Sequence, residues 1–307
     1  MHVVAGVLVD GAGRILIAQR PPGKHLAGMW EFPGGKLEPG EQAMAALERE
    51  LDEELGIAVD PLSFESLVRI PWNYGERSML LEAVTVRAWS GEPRALDASA
   101  IEWRLPRDID PAILAPADRP ILAAAWLPEH VAITPADASV AVASTWLRAA
   151  LARGERLLQW RMPAMTVAAS REAVAALLPE VHRFGAHLLL CDDVEGARAL
   201  GVGVQLSALR LEGLSERPLP LGTLVGASCH DAEGLALAGR LGCDFATLSP
   251  VEPDAGSPDT PPLGWPRFAK WVENASLPVY ALGGVGPDDV AMARMHAAQG
   301  IASSLFL

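Results

Sequence analysis

Glu50, Glu53 and Glu54 stand at i, i+3 and i+4 within residues 42–55, a stretch free of Pro and Gly and rich in Ala and Leu. The spacing predicts a helix that gathers three carboxylates on one face. Gly56 stands where such a helix needs a left-handed residue to stop. Met44, Leu47, Leu51 and Leu55 form an apolar stripe that would anchor the helix on a sheet. Crowded carboxylates repel one another in water. The arrangement makes sense around a hard divalent cation such as Mg²⁺, which prefers oxygen ligands and keeps waters to share with a phosphate. A solvated acidic face is the ordinary alternative, but the adjacent Arg49 and Glu50, the glycine loop before them and Glu41 argue against it. The chemistry expected is attack of a positioned water on phosphorus, with one glutamate orienting or deprotonating that water. The spacing does not say which glutamate; Glu53, midway along the face, is favoured.

The elements that must position these groups fall into two halves. VVAGVLVD at 3–10 and RILIAQR at 14–20 are β-rich runs joined by GAG at 11–13, a hairpin signal. The glycine-proline loop EFPGGKLEPG at 31–40 follows, then the acidic helix, strands at about 64–70, 78–88 and 100–104, and a helix at about 117–126. This is an α+β pattern with a mixed sheet. The stretch 127–129 marks a boundary between domains at 1–128 and 129–307. Beyond it the apolar runs VAIT, LLQWRM, HLLLCD, GVQLS, LVGASCH, FATLSPV, VYALGGV and IASSLFL alternate with Ala-rich helical stretches. They predict a compact (β/α)₈ TIM barrel that lacks a full last helix, with functional groups where strands end and loops begin.

The 307 residues suffice for two cores, and the net charge of −13 argues against a nucleic-acid duplex as partner, since phosphate neutralisation needs a basic face. A small-molecule nucleotide that arrives with its metal remains allowed. Cys191, Cys229 and Cys243 lie in apolar segments without metal-ligand spacing and read as reduced core thiols. No leader pattern and no apolar run of membrane-spanning length occurs, which places the expected chain in the cytoplasm.

Residues 35–57 fit the pattern G-x5-E-x7-R-E-U-x-E-E-x-G-U, with Gly35, Glu41, Arg49, Glu50, Leu51, Glu53, Glu54, Gly56 and Ile57 at its fixed positions. This is the Nudix box, and the N-terminal half resembles the MutT-type Nudix hydrolases, which remove pyrophosphate from oxidised purine nucleoside triphosphates such as 8-oxo-dGTP. The family's EFPGGK loop, an arginine ending the preceding strand (Arg20), a histidine five residues on (His25) and a Glu-Trp pair (Glu102, Trp103) are all present. The resemblance implies a Nudix α/β/α sandwich and divalent metal, Mg²⁺ with Mn²⁺ as its substitute, on Gly34, Glu50, Glu53, Glu54 and Glu102. It gives Arg49 the task of holding the helix carboxylates, Glu41 that of orienting Arg49 or a metal water, and Arg20 a substrate phosphate. His25 reads as a structural loop residue or a nucleotide contact, and Phe32, beside Trp30, as core or as purine lining. Trp72 and Tyr74 read as structural or as base-stacking. At 116–120 the chain has PADRP where the family has an asparagine, so Asp118 replaces a side-chain amide that reads the base. A carboxylate accepts from the extra N–H of an 8-oxopurine but donates to O6 only when protonated; an N-cap role for the next helix is the alternative.

The C-terminal half resembles the thiamine phosphate synthase and TenI family. QWRMP at 159–163, CDDVEGA at 191–197, GASCH at 226–230 and ALGGV at 281–285 carry the likeness, so Arg161, Asp192, Ser228, Gly283, Gly284 and Ser303 match family binding positions and imply a thiamine-phosphate-like ligand. Ser304 joins the implied phosphate loop, and His230 matches a histidine that acts in thiazole tautomerisation, with a buried structural role as its alternative. The departures fall on the chemistry: Pro163 replaces a lysine, Arg210 a metal aspartate, and Asp254, Ala255, Gly256 and Ser257 a run that grips pyrophosphate. A degenerate barrel without synthase turnover is expected.

Overall fold

The computed structural model describes residues 1–75, 77–135, 137–254 and 260–304, with the side chains of Tyr74 and Arg77 outside that description. The chain divides into two compact units, Met1–Trp126 and Leu127–Leu307.

In the first unit, β1 (His2–Leu8), β4 (Gly34–Lys36), β7 (Arg77–Val86) and β6 (Phe64–Tyr74) form a mixed sheet in the order β4-β1-β7-β6. A second sheet takes β2 (Ile15–Gln19), β3 (Trp30–Glu31) and β9 (Ala100–Arg104), and a small pair joins β5 (Ala58–Val59) to β8 (Trp89–Ser90). Two helices cover the sheets, α1 (Ala43–Leu55) and α2 (Arg119–Trp126). The alternation of β1 sorts its side chains by face. Val4 and Leu8 pack with Leu47, Leu51 and Leu55 of α1, while Ala5 and Val7 pack with Ile121 and Leu122 of α2. Gly6 lies on the α1 face, where a Cβ would come within 3.2 Å of Leu47, so its missing side chain lets α1 seat closely.

The expected hairpin between the first two strands is reduced to a single bridge, Val9 to Ile15. β1 already has both edges filled, by β4 antiparallel and β7 parallel, so β2 leaves to pair with β3 and β9.

The second unit is a closed eight-stranded parallel barrel: β10 (His130–Ile133), β11 (Leu157–Trp160), β12 (His187–Cys191), β13 (Gly203–Leu206), β14 (Val225–Cys229), β15 (Phe245–Leu248), β16 (Val279–Leu282) and β17 (Gly300–Ser303). Between them run α3 (Val140–Arg153), α4 (Val167–Arg183), α5 (Val194–Leu200), α6 (Ala208–Glu212), α7 (Ala232–Arg240), α8 (Trp265–Val272) and α9 (Val290–Met295). At the N-terminal end of the strands, Tyr280 donates its hydroxyl to Pro128 O at 2.6 Å, Gln299 Nε2 donates to Leu127 O at 2.9 Å, and Ile301 N–H donates to Glu129 O at 2.9 Å. The segment 127–129 is thereby part of the barrel's floor. Among the described residues, no helix is long and apolar enough to cross a membrane.

Candidate active site

α1 stops at Gly56, whose φ of 68° is left-handed and whose N–H donates to Asp52 O. Arg49 organises the carboxylate face. Its Nε and Nη2 donate to both oxygens of Glu41 at 3.0 Å, Nη1 to Glu50 at 2.9 Å and to Glu53 at 3.4 Å, and Nη2 also to Lys36 O at 3.1 Å. These bonds, those to Glu41 first, raise the guanidinium's pKa, and Arg49 in turn holds the Glu41 carboxyl below the usual range. One side chain thus ties the helix to the 36–41 loop.

The three helix carboxylates have different surroundings. Glu50 tucks against Gly35, where any Cβ would overlap its carboxylate. Glu54 accepts the Gly34 N–H at 2.9 Å, and burial first, then the charges of Glu31, Glu50 and Asp97, pushes its carboxyl up to about 7. Glu53 is 60% exposed. Glu102, on β9, is held by Arg104 Nε at 2.6 Å.

The expected metal set is therefore not drawn into one cage. Among the described residues, no three His, Cys, Asp or Glu side chains are gathered to hold an ion. The physical reason is mutual repulsion: each carboxylate takes its own counter-group, Arg49 for Glu50 and Glu53, the Gly34 N–H for Glu54, and Arg104 for Glu102. The donor chemistry still fits a hard divalent cation, because Glu54 feels the charges of Glu31, Glu50 and Asp97 around it.

On the substrate side, Arg20 forms an ion pair with Glu31 and donates Nε to His25 O at 2.6 Å, so its guanidinium is already engaged. His25 is exposed. The Phe32 side chain is buried in the core with Ile121, in keeping with the core alternative; its N–H donates to Asp118 at 3.0 Å. Asp118 is 7% exposed, burial pushes it up to about 7, and its bond reaches across to Phe32 instead of capping α2. Trp30 and Trp72 pack against the same core; the side chain of Tyr74 lies outside the described residues.

In the barrel, Arg161, Asp192 and Ser228 line a cavity of about 590 Å³ at the C-terminal ends of the strands. Gly283, Gly284 and Ser303 are not among its lining residues. A Cβ on Gly283 would come within 2.8 Å of Pro250 Cα, and one on Gly284 within 2.6 Å of Pro253 O, so the segment after β15 packs directly on the glycine loop. Pro163 and Asp254 line the cavity, Arg210 is exposed on α6, and Ala255, Gly256 and Ser257 lie outside the described residues. His230 is exposed at the cavity, not buried.

Residues 4–124 match the NUDIX domain model and residues 130–305 the model for thiamine monophosphate synthase. The chain joins a Nudix hydrolase to a member of the thiamine monophosphate synthase family. The Nudix unit is 41% identical over 92 residues to an 8-oxo-dGTP diphosphatase of Proteus vulgaris, covering 30% of this chain and 80% of that one. It is 39% identical over 124 residues to the CTP pyrophosphohydrolase of Escherichia coli, covering 40% and 90%. The barrel is 35% identical over 156 residues to a putative thiamine-phosphate synthase of Geobacter sulfurreducens, covering 50% and 73%.

Three residues of the Nudix site escape the sequence reading. Glu31 is half of the Arg20 ion pair and a neighbour that raises Glu54. Lys24 Nζ pairs with Asp97 at 2.5 Å, and both feel the Glu54 charge. Glu31 is visible as the first residue of the EFPGGK loop; Asp97 carries no signal, and the bonds of Arg94 N–H to Leu55 O and Leu96 N–H to Glu54 O bring its segment to the helix end.

Proposed function

We propose that the Nudix unit is a Mg²⁺-dependent pyrophosphohydrolase of oxidised purine nucleoside triphosphates, converting 8-oxo-dGTP into 8-oxo-dGMP and pyrophosphate in the cytoplasm and so sanitising the nucleotide pool. The observation that carries this reading is the acidic face of α1, with Glu50 seated over Gly35 and Glu54 on the Gly34 N–H. Glu50, Glu53 and Glu54 would hold the cation, with Gly34 and Glu102 completing the set. When bound, the cation neutralises phosphate oxygens and acidifies a water. Arg49 fixes Glu50, and Glu53, the most exposed of the three, is the group that orients or deprotonates the attacking water. Asp118 reads the base. With its carboxyl pushed up to about 7, it accepts a purine N7–H when ionised and donates to O6 when protonated.

The kcat/KM for 8-oxo-dGTP is expected to exceed that for dGTP by at least about tenfold, the discrimination of one well-placed contact. A panel of 8-oxo-dGTP, dGTP, CTP, ADP-ribose and thiamine diphosphate with Mg²⁺ measures it. Equal values for the two guanine nucleotides would remove the oxidised-purine assignment. The family of the barrel supports a second reading, in which the Nudix unit hydrolyses a thiamine-related pyrophosphate and the barrel binds the phosphate product; turnover of thiamine diphosphate above all nucleotides in that panel would select it.

For the barrel we propose a ligand-binding module for a thiamine-phosphate-like molecule, without synthase turnover. Pro163 and Asp254 stand at the cavity where the reaction needs a lysine and an anion-gripping residue. The full chain, supplied with a hydroxymethylpyrimidine diphosphate and a thiazole phosphate, should release no pyrophosphate; measurable release would overturn this reading.

A further inference from the structure

The cations set about the acidic face of α1 are not equally available to a substrate. Arg49 is bound to Glu41 and Glu50, and Arg104 to Glu102. Arg20, to which the family pattern gives a substrate phosphate, is paired with Glu31 and donates Nε to His25 O at 2.6 Å. The side chains of that pair are only 22% and 28% exposed, and parting a pair so placed strands a desolvated charge. A triphosphate that approaches the acidic face needs a cation able to change partners.

Lys24 meets that need. It stands in the turn 20–29, closed at its base where Arg20 N–H donates to Met29 O and Gly28 N–H to Arg20 O, both at 2.9 Å. Facing it, the segment 94–99 is pinned by Arg94 N–H to Leu55 O and Leu96 N–H to Glu54 O, both at 3.0 Å, and by Ser99 N–H to Gln19 O at 2.9 Å. Both backbones are thus fixed, and the long Lys24 side chain spans the gap, donating Nζ to Asp97 at 2.5 Å. Lys24 and Asp97 are 47% and 54% exposed, so water solvates both and the bond is weakly held. The ammonium also feels the charges of Glu54 and Glu31, which places it within reach of both the metal face and the Arg20 pair.

We infer that Lys24 is a substrate-binding residue of the Nudix unit: its ammonium leaves Asp97 for a phosphate oxygen of the nucleotide, a contact that Arg20, held by Glu31, does not make. The inference rests on the reading of this unit as a nucleoside triphosphate pyrophosphohydrolase and names a residue that holds the substrate there. Phosphates are common to all such nucleotides, so Lys24 adds affinity without preference among bases.

Initial rates of the full chain with 8-oxo-dGTP and with dGTP, in Mg²⁺, test it. Lys24→Met should raise KM about tenfold or more for both nucleotides, the loss of one charge-assisted hydrogen bond, and lower kcat by no more than about threefold. The ratio of kcat/KM between the two nucleotides should stay as in the native chain. Lys24→Arg, which keeps the charge, should bring KM back to within about threefold of native. Titration calorimetry with a dGTP analogue whose phosphates are joined by imido groups should give the same loss as a Kd. A clasp between two loops and nothing more would lower the melting temperature of Lys24→Met and leave KM where it was. Native KM in Lys24→Met, a loss confined to one nucleotide, or no recovery in Lys24→Arg overturns the inference while leaving the hydrolase reading in place. Hydrolysis of neither nucleotide by the native chain overturns the two together.

Discussion

A Glu54→Gln protein is expected to be more heat-stable than the native one at pH 8 without added metal, and to have lost about 10²–10³-fold in kcat, the range for removal of one preorganised electrostatic group. The first half follows from proton linkage. Burial and the charges of Glu31, Glu50 and Asp97 raise the Glu54 carboxyl from 4.5 to about 7. The folded chain therefore holds a proton that the unfolded chain has released, and stability from this group falls as pH rises between those two values. The cost is absent below 4.5 and complete above about 7. Glutamine removes the charge and keeps an acceptor for the Gly34 N–H, so the two melting curves should converge in acid and separate in base. The second half follows because an amide does not hold a hard divalent cation as a carboxylate does. Melting curves across pH, with and without Mg²⁺, and initial rates measure both. Near-native turnover in Glu54→Gln would remove this residue from the site.

Gly35→Ala should fold and be almost inactive, whereas Gly34→Ala should fail to fold. The two neighbours face different obstacles. A Cβ on Gly34 would overlap Val4 O, a backbone atom of β1, and the residue's φ of 141° is closed to alanine in any case. Nothing there can yield. At Gly35 the overlap is with the Glu50 carboxylate, the free end of a side chain, which can swing aside. Once displaced, Glu50 leaves Arg49 and the acidic face loses a ligand, so kcat/KM should fall by at least about 10²-fold. Soluble yield, circular dichroism and initial rates separate the two cases. A Gly35→Ala protein with native activity would show that the position of Glu50 is immaterial.

How much of this was legible in the sequence depends on how local the cause is. The face of α1 follows from i, i+3, i+4 spacing and Gly56, and the barrel from eight apolar runs; both are set by residues close in sequence. The divergence of β2 from β1 is set by which strands fill the edges of β1, and β7 lies some seventy residues away, so a hairpin signal at 11–13 could not reveal it. Asp118 shows the same limit. Its position before a helix suggested a cap, but its partner is Phe32, on the far side of the sequence. In the barrel, Arg161, Asp192 and Ser228 line the cavity while Gly283 and Gly284 abut Pro250 and Pro253, a tertiary packing that no local signal carries. The cage expected from the helix glutamates illustrates a different gap: type and spacing tell which groups share a face, while their charges decide which counter-groups they take.

The three carbonyls at 127–129 have a bearing on where the gene can be divided. Tyr280 is fully buried and Gln299 is 6% exposed, and their donors end on Pro128 O and Leu127 O. A barrel begun at Glu129 would remove both acceptors, and the fully buried Tyr280 hydroxyl would lose its partner at about 1–3 kcal/mol. The natural seam thus falls directly after Trp126. What reads as connecting chain is the plug of the second domain, and transplanting the barrel to a new fusion partner requires carrying that plug along.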